Sequence, residues 1–333
     1  MVSEDRETMG NCRKAVQARL TAFRGSAAPY GTENMRLSTT LTGLATTVAA
    51  SLASFAASAQ TAETPPDGIG GLPVVGRPVD GAIGFQPAAT ELARDIHWLD
   101  GLLLWIIVPI VLLVTLLLVW CILRYNEKRN PKPARFTHNS PLEITWTIVP
   151  ILILVVIGSF SLPILFKQQE MPEADIRIKT TGYQWYWGYE YPDEGIAFDS
   201  IMLPREDLAE NGYADSDYLL AVDNAVVVPM GATVVMQVTA ADVIHSWAIP
   251  AFGVKQDGVP GRLAELWFKA EREGIYFGQC SELCGINHAY MPITVKVVSP
   301  QVYADWLTRA KQEFSADAGP LPSERPVRLA QAE

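Results

Sequence analysis

Two long uncharged stretches constrain the fold of this chain more than any other feature. Residues 101–123 and 144–166 each contain 23 residues without a charged side chain. At a rise of about 1.5 Å per residue, either stretch could cross a hydrocarbon layer of about 30 Å as a helix. A pair of buried core helices is the alternative, but no other segment offers enough apolar surface to cover them. The sequence therefore predicts a transmembrane hairpin over residues 98–168, with its two helices at about 101–123 and 144–166.

The loop between the stretches predicts the orientation of the hairpin. Residues 124–143 carry five Lys or Arg side chains and two Glu side chains. Loops rich in Lys and Arg remain on the cytoplasmic side of a membrane. Both ends of the hairpin, and everything after it, would then lie outside, which in a bacterium is the periplasmic side of the inner membrane.

The N-terminal region has the pattern of an exported protein. From Met35 the sequence has a basic start, an apolar middle and a small-residue ending at Ala59, which is typical of a signal peptide. We interpret residues 1–59 as leader and signal peptide, with Met35 as the expected start and cleavage after Ala59. A long basic leader is the alternative. Residues 60–97, rich in Pro and Gly, are predicted to form a flexible periplasmic arm.

Short β-prone segments separated by Gly, Pro, Asp and Asn turns follow the hairpin, between residues 174 and 300. This pattern predicts an all-β sandwich domain. The predicted strands are 175–191, 218–222, 232–241, 264–270, 274–279 and 293–298. Residues 301–333 are predicted to form a short helix and a disordered tail, because Pro300 starts an amphipathic segment and the remainder is rich in Ala, Pro and Glu.

One loop of the β domain combines four soft or borderline metal ligands, and it reads QCSELCGINHAYMPI over residues 279–293. The ligand candidates are Cys280, Cys284, His288 and Met291 in the loop, with His245 upstream. Thiolate, imidazole and thioether are ligands that copper prefers, and a weak Met beside Cys and His is typical of electron-transfer copper. Because two thiolates can each bridge two copper ions, the second cysteine favours a copper pair that shares one unpaired electron.

Two other interpretations of the cysteine pair remain open. In an exported domain the cysteines could form a disulfide, and the Cys and His residues could hold a structural zinc. Neither interpretation has a use for Met291, so ligand softness favours copper. The sequence contains no C-x-x-C-H motif, so a fused c-type cytochrome is not indicated and the electron donor would be another protein.

From about residue 95 to residue 306 the sequence resembles subunit II of haem–copper cytochrome c oxidase, and the cysteine loop is the most specific part of the match. The resemblance implies a two-helix transmembrane hairpin followed by a cupredoxin-like sandwich domain. It also implies two copper ions bridged by Cys280 and Cys284. The terminal ligands would be His245, His288, Met291 and the backbone carbonyl of Glu282. The Glu282 side chain would face a magnesium ion at the border with the catalytic subunit.

The resemblance assigns a role to one residue of the aromatic run at 182–191. Trp185 matches an exposed tryptophan through which electrons from cytochrome c enter. Aromatic packing in the core or at the membrane interface is the alternative for the other aromatic residues. If the run is one strand, Tyr183, Trp185 and Trp187 share one face and Tyr186 lies on the other.

Acidic side chains are the remaining functional candidates. Residues 174–299 contain 17 Asp or Glu and 8 Lys or Arg, an excess that would attract a basic partner, although solubility alone is the alternative. By resemblance, Glu190, Asp223 and Asp242 match positions on a cytochrome c docking face. Glu143 matches a glutamate at the mouth of a proton-uptake pathway, although the helix dipole alone would favour a carboxylate there.

Taken together, the resemblance implies an electron relay. Cytochrome c would deliver electrons to the copper pair, and the pair would pass them to haem in subunit I, along Glu282 and residues 255–262. Subunit I would reduce oxygen to water and pump protons, subunit III would be a further partner, and no nucleic-acid partner is implied. Three other classes remain: a quinol oxidase subunit II, which lacks the thiolates; a nitrous oxide reductase, which lacks the hairpin; and a structural zinc module of a membrane complex.

Overall fold

The computed structural model of the chain describes residues 65, 67–132 and 134–314. The predicted leader and signal peptide, the first residues of the arm and the predicted tail beyond residue 314 lie outside the described residues.

Both uncharged stretches form helices, and each helix is longer than its stretch. Helix α1 spans Glu91–Arg124 and helix α2 spans Ser140–Gln169, and both are long and apolar enough to cross a membrane. Helix α1 begins early because the Thr90 hydroxyl accepts a hydrogen bond from the Ala93 N–H at 3.0 Å. The predicted bounds were therefore too short, since they followed the uncharged core and not the caps.

The two helices pack side by side in opposite directions. Lys167, near the end of α2, lies 2.5 Å from Glu91 and 2.7 Å from Asp95 in the first turns of α1. One turn further along α1, Trp98 packs edge-on against Phe160 at 5.5 Å between ring centroids. Charged and aromatic side chains of this kind are typical of a membrane–water boundary, which fits the predicted hairpin.

The β domain follows α2 and consists of two larger sheets and a separate hairpin. In the described residues the strands are β1 (Val74–Gly76), β2 (Ile176–Tyr183), β3 (Tyr186–Tyr191), β4 (Ile196–Ser200), β5 (Val226–Pro229), β6 (Thr233–Ala240), β7 (His245–Ile249), β8 (Val254–Gly258), β9 (Ala264–Lys269), β10 (Gly274–Gln279) and β11 (Pro292–Val298). One sheet has the order β1-β10-β11-β5, the second has the order β4-β3-β2-β6-β9, and β7 pairs with β8. Trp187, Tyr189, Trp247 and Phe268 are fully buried between them.

The aromatic run corrects the strand prediction for 175–191. Strand β2 ends at Tyr183 and β3 begins at Tyr186, so the run is a hairpin with its turn at Gln184 and Trp185. Tyr183 and Tyr186 face each other across the ladder and stack at 4.7 Å. The predicted division of faces was therefore wrong, because it assumed one continuous strand.

The prediction of a strand at 218–222 was also wrong. Leu219 has a φ of 71°, which a strand does not permit, and Val222 forms only an isolated bridge with Met202. The buried carboxylate of Asp217 accepts from the Ala214 N–H at 3.0 Å and favours a turn at this point. The predicted strands at 232–241, 264–270, 274–279 and 293–298 correspond to β6, β9, β10 and β11 within one residue at each end.

The predicted flexible arm is corrected where the structure describes it. Strand β1 pairs in parallel with β10, and the Ala89 N–H donates to the Ala251 carbonyl at 2.8 Å. Two ion pairs, Arg77 with Asp217 and Asp67 with Lys296, attach this segment to the β domain. Residues 67–77 and 88–90 therefore contact the β domain, residues 78–85 between them are exposed, and the last seven residues of the predicted arm belong to α1.

The predicted short helix after residue 300 is present as α3, which spans Pro300–Glu313. The Ser299 side chain caps it by accepting from the Val302 N–H at 3.4 Å. Trp306 of α3 is buried against Tyr191 with 5.4 Å between ring centroids. The helix thus closes the side of the sandwich formed by β3 and β4.

Candidate metal centre

Two segments of the β domain meet to form the candidate centre. Strands β10 and β11 are antiparallel neighbours with Gln279 opposite Pro292, so the cysteine loop connects their ends. His245 is the first residue of β7, directly after the loop that follows β6. The Ser281 N–H donates to the Ser246 carbonyl at 3.0 Å, which holds the two segments together.

All five candidate side-chain ligands, and the Glu282 carbonyl, lie together at this position. The two cysteine sulfurs are 3.9 Å apart. His245 Nδ1 is 3.9 Å from Cys280 Sγ, and Cys280 Sγ is 3.3 Å from the Glu282 carbonyl oxygen. On the other side, His288 Nδ1 and Met291 Sδ each lie 3.5 Å from Cys284 Sγ. Each sulfur therefore has one imidazole nitrogen and one weaker donor beside it, which is the Glu282 carbonyl oxygen for Cys280 and the Met291 sulfur for Cys284.

The thiols are free in this structure, and their separation does not fit a disulfide. A disulfide has an S–S distance of about 2.05 Å, whereas these sulfurs are 3.9 Å apart. Both cysteines and Met291 are buried, His245 is fully buried, and His288 is partly accessible. A buried group of soft donors with one accessible side fits a bound thiophilic cation.

The pKa shifts of the two thiols also fit a bound cation. Burial tends to raise the pKa of Cys280, but its contacts with His245 and with the backbone of Glu282 lower it below its usual value. Burial raises the pKa of Cys284, and the neighbouring Cys280 charge raises it further. The pair thus favours one thiolate at a time, and a bound cation would allow both sulfurs to ionise.

The orientation of His245 is set by an acidic neighbour and a glycine. Its Nε2–H donates to Asp242 Oδ1 at 2.8 Å, which leaves the Nδ1 lone pair directed at Cys280. Burial acts to lower the pKa of His245, but the contacts with Cys280 and Asp242 outweigh it and raise the pKa. A Cβ atom at Gly182 would lie 2.8 Å from the imidazole ring, so only glycine allows β2 to pass this close.

The turn between β2 and β3 lies against the cysteine loop. Trp185 Nε1–H and Gln184 Nε2–H both donate to the Cys284 carbonyl, at 3.2 and 3.0 Å. A Cβ at Gly285 would be 3.0 Å from the Trp185 ring. Trp185 was expected to be exposed, but it is half-buried, because one edge of the indole lies on the cysteine loop.

Each of the three acidic residues expected on a docking face already has partners within the chain. Glu190 forms an ion pair with Lys179 at 2.8 Å. The Asp223 carboxylate accepts from the Ile201 N–H at 2.7 Å and from the Asn224 N–H. The Asp242 carboxylate accepts from His245 Nε2–H at 2.8 Å and so lies next to the candidate metal ligands. The acidic residues thus have structural contacts that the sequence did not indicate.

Two further predicted residues lie outside the donor cluster. Glu143 accepts from the Asn139 N–H at 3.0 Å and so caps the start of α2, which the helix-terminus interpretation had anticipated. The exposed Glu282 side chain follows Cys280 by two residues. Residues 255–262 lie on β8 and the turn after it, and Gly258 is opposite His245 in the ladder.

Sequence reasoning missed two residues and one hydrogen bond that shape the centre. Gly182, Gln184 and the bond between Asp242 and His245 have no strong signal in the sequence. The D-x-x-H spacing from Asp242 to His245 could have suggested a carboxylate that supports a metal-binding histidine.

The fold and the donor cluster define a class: a membrane-anchored cupredoxin-like domain with a candidate metal centre at one end. The family model described as "Cytochrome C oxidase subunit II, periplasmic domain" matches residues 176–298, and the one described as "Cytochrome C oxidase subunit II, transmembrane domain" matches residues 78–164. The chain belongs to the cytochrome c oxidase subunit II family.

Two relatives cover most of the chain, and a solved structure covers its β domain. A cytochrome c oxidase subunit 2 of Cereibacter sphaeroides is 61% identical over 291 residues, which is 83% of this chain and 93% of the relative. A probable cytochrome c oxidase subunit 2 of Rickettsia bellii is 48% identical over 241 residues, covering 72% of this chain and 88% of the relative. A crystal structure of the periplasmic domain of subunit II of cytochrome oxidase from Bradyrhizobium japonicum is 50% identical and covers 44% of this chain and 100% of its own, with a TM-score of 0.40.

Proposed function

We propose that this chain is the oxidase subunit that accepts electrons from cytochrome c at a two-copper centre and passes them to haem in subunit I. The observation that carries this proposal is the pair of thiols 3.9 Å apart, each with its own imidazole and a weak donor beside it. One thiol would suffice for a single blue copper, and a structural zinc would not require the buried thioether of Met291.

The residues present fit a pair of copper ions. Cys280 and Cys284 would bridge the two ions, and the remaining donors are His245, His288, Met291 and the Glu282 carbonyl. Such a pair, when bound, would accept and release one electron at a time. The protein holds the donors in a rigid, buried frame, because Trp187 donates to the Met291 carbonyl at 3.3 Å and β10 and β11 fix both ends of the loop. A rigid frame limits the movement that accompanies a change of charge.

Electron input is assigned to Trp185. Its indole N–H reaches the carbonyl of Cys284, so the path from the ring to a proposed bridging ligand contains one hydrogen bond and a few covalent bonds. The ring is half-buried, which leaves part of it for a docked partner. The net negative charge of the domain would attract a basic cytochrome c and raise its association rate.

Two of the three acidic residues, Glu190 and Asp223, are proposed to help dock cytochrome c. Glu190 and Asp223 keep a negative charge at the surface in a fixed position, and both remain proposed docking residues. Lys179 neutralises part of the charge of Glu190, so Glu190 would contribute less than an unpaired carboxylate.

Electron output is assigned to the other side of the loop. The exposed Glu282 side chain would meet a magnesium ion at the border with subunit I, and residues 255–262 would lie along the same border. Glu143, which caps α2, would lie at the cytoplasmic mouth of a proton pathway in subunit I. Both chain ends and the β domain would be periplasmic, and subunit III would complete the core of the complex in the inner membrane.

Metal analysis and electron paramagnetic resonance of the purified oxidase test this proposal. We expect two copper ions per copy of this chain, in addition to any copper in subunit I, and one unpaired spin shared equally by the two nuclei. Zinc in the site, or a spin confined to one copper nucleus, would contradict it. Replacing cytochrome c with a quinol as donor distinguishes the quinol oxidase alternative, in which the quinol would sustain turnover.

A further inference from the structure

Asp242 is placed to act on two parts of the centre at once. Its side chain is 32% exposed and lies in the loop between β6 and β7, three residues before His245. Oδ1 accepts from His245 Nε2–H at 2.8 Å and from the Val243 N–H at 2.6 Å. Oδ2 accepts from the backbone N–H of Gln184 at 2.7 Å. One carboxylate therefore contacts both a proposed metal ligand and the turn that carries Trp185.

The bond to His245 has a clear chemical consequence. A carboxylate can only accept, so the bond requires the proton of the imidazole on Nε2 and leaves Nδ1 free to bind a metal. A carboxylate behind a metal-binding histidine also fixes the ring and makes it a stronger donor. His245 is fully buried, and in the described residues the Asp242 carboxylate is the hydrogen-bond partner of its Nε2.

The bond to Gln184 attaches the turn from the opposite side. The turn is already fixed to the cysteine loop through the two donors on the Cys284 carbonyl. Asp242 adds a third contact, from the segment that carries His245. The turn is thus held between the segments that supply the two halves of the donor cluster.

We propose that Asp242 is a positioning residue that holds His245 in its metal-binding orientation and fixes the Trp185 turn relative to it. The inference rests on the proposed copper function and gives Asp242 a role within the chain beside the docking role expected from its position in the sequence. Its three internal hydrogen bonds carry the positioning role, and the 32% of its side chain that is exposed leaves room for a partner as well.

The test compares Asp242→Ala, Asp242→Asn and the control Asp193→Asn in the full chain assembled into the oxidase. Asp193 is exposed in the turn between β3 and β4, at the opposite end of β3 from Trp185. Its replacement by Asn removes one negative charge, as the Asp242 substitutions do, but at a position away from the centre. Competition for copper with a chelator of known affinity gives the affinity of the site. The copper hyperfine pattern reports ligand orientation, and cytochrome c turnover at two ionic strengths separates kcat from KM.

We expect Asp242→Ala to weaken copper binding by about tenfold to a hundredfold, the usual effect of losing such a carboxylate, and to alter the hyperfine pattern. Asp242→Asn keeps one oxygen that can accept from His245, so its copper affinity should lie between those of Asp242→Ala and the wild type. It also provides a second variant to measure if Asp242→Ala does not fold. Asp193→Asn should match the wild type in affinity and spectrum. The kcat for cytochrome c should fall in Asp242→Ala at both ionic strengths.

Unchanged copper affinity and spectrum in Asp242→Ala, with only a KM increase that disappears at high salt, would overturn the inference and leave Asp242 with a docking role alone. A lower Tm with an unaltered copper spectrum would also overturn it, because the residue would then be only structural. If the wild-type oxidase itself lacks the copper pair, the proposed function fails, and that outcome is distinct from a failure of Asp242 alone.

Discussion

The close approach of β2 to His245 gives a sharp test of how the centre is built. A Cβ atom on Gly182 would lie 2.8 Å from Cδ2 of the imidazole and 2.9 Å from its Cγ. Ordinary contacts begin at 3.4 Å, so Gly182→Ala requires a displacement of about 0.6 Å. The imidazole is fully buried and is held by Asp242 on one side and packed edge-on against Trp187 at 5.9 Å on another.

The expected effect on Gly182→Ala has two parts. Insertion of a methyl group into a close-packed region costs about 1–3 kcal/mol of stability. Functional groups must be held within about 0.5 Å of their working geometry, and the required shift is of that size. We therefore expect a folded protein with a lower Tm, copper affinity reduced by about tenfold or more, and an altered copper spectrum.

The assay is a copper titration with electron paramagnetic resonance, run beside thermal unfolding of the metal-free full chain in detergent. Gly188→Ala is the matched control, because its Cβ would meet the outer part of the Tyr183 ring at 3.1 Å, an Asp199 oxygen at 3.4 Å and the Thr181 carbonyl at 3.8 Å, and none of these belongs to a candidate ligand. The control should keep the wild-type spectrum. If Gly182→Ala loses stability but binds copper with wild-type affinity and spectrum, the packing of His245 does not set the ligand geometry.

Other substitutions test separate parts of the account. Cys284→Ser should abolish the shared-spin signal because one bridging thiolate is lost, whereas Cys121→Ser in α1 should leave copper content unchanged; metal analysis and spectroscopy check both. Trp185→Phe removes the N–H bond to the Cys284 carbonyl but keeps an aromatic ring, so the copper spectrum should persist while stopped-flow reduction by cytochrome c slows at least tenfold; a wild-type rate would refute the role of the indole. Raising salt from low to physiological ionic strength should slow the bimolecular reduction step several-fold, since salt would screen the proposed attraction between the acidic domain and a basic partner. A flat response would assign the acidic residues to solubility. Glu190→Gln should reduce that salt dependence only slightly, because Lys179 already neutralises part of the charge.

Most of the candidate donor set could be predicted from the sequence, because four of its five side chains are local and His245 comes from a distant segment. Cys280, Cys284, His288 and Met291 lie within twelve residues, so their spacing alone brings them together on one loop. The uncharged stretches were equally direct, because twenty or more apolar residues in succession have few other uses. The ends of the helices were not predicted, since the charged first turns of α1 are stabilised by Lys167 from the other helix.

Features that depend on contacts between segments far apart in the sequence could not be predicted from local patterns. Strand β1 exists because Val74 pairs with Ile275, two hundred residues further along the chain. The turn at Gln184 and Trp185 has no glycine or proline to mark it, and its contacts come from the Asp242 and Cys284 segments. Hydrogen bonds between distant segments leave no periodic pattern, so the geometry behind the ligands was visible only in the fold.

The central claim is that two copper ions share the sulfurs of Cys280 and Cys284. Electron paramagnetic resonance of the purified oxidase, combined with copper and zinc analysis of the same sample, tests it most directly. The account predicts two copper ions at this site and one unpaired spin divided equally between two copper nuclei. A site that contains zinc, or a spin confined to one copper nucleus, would contradict it.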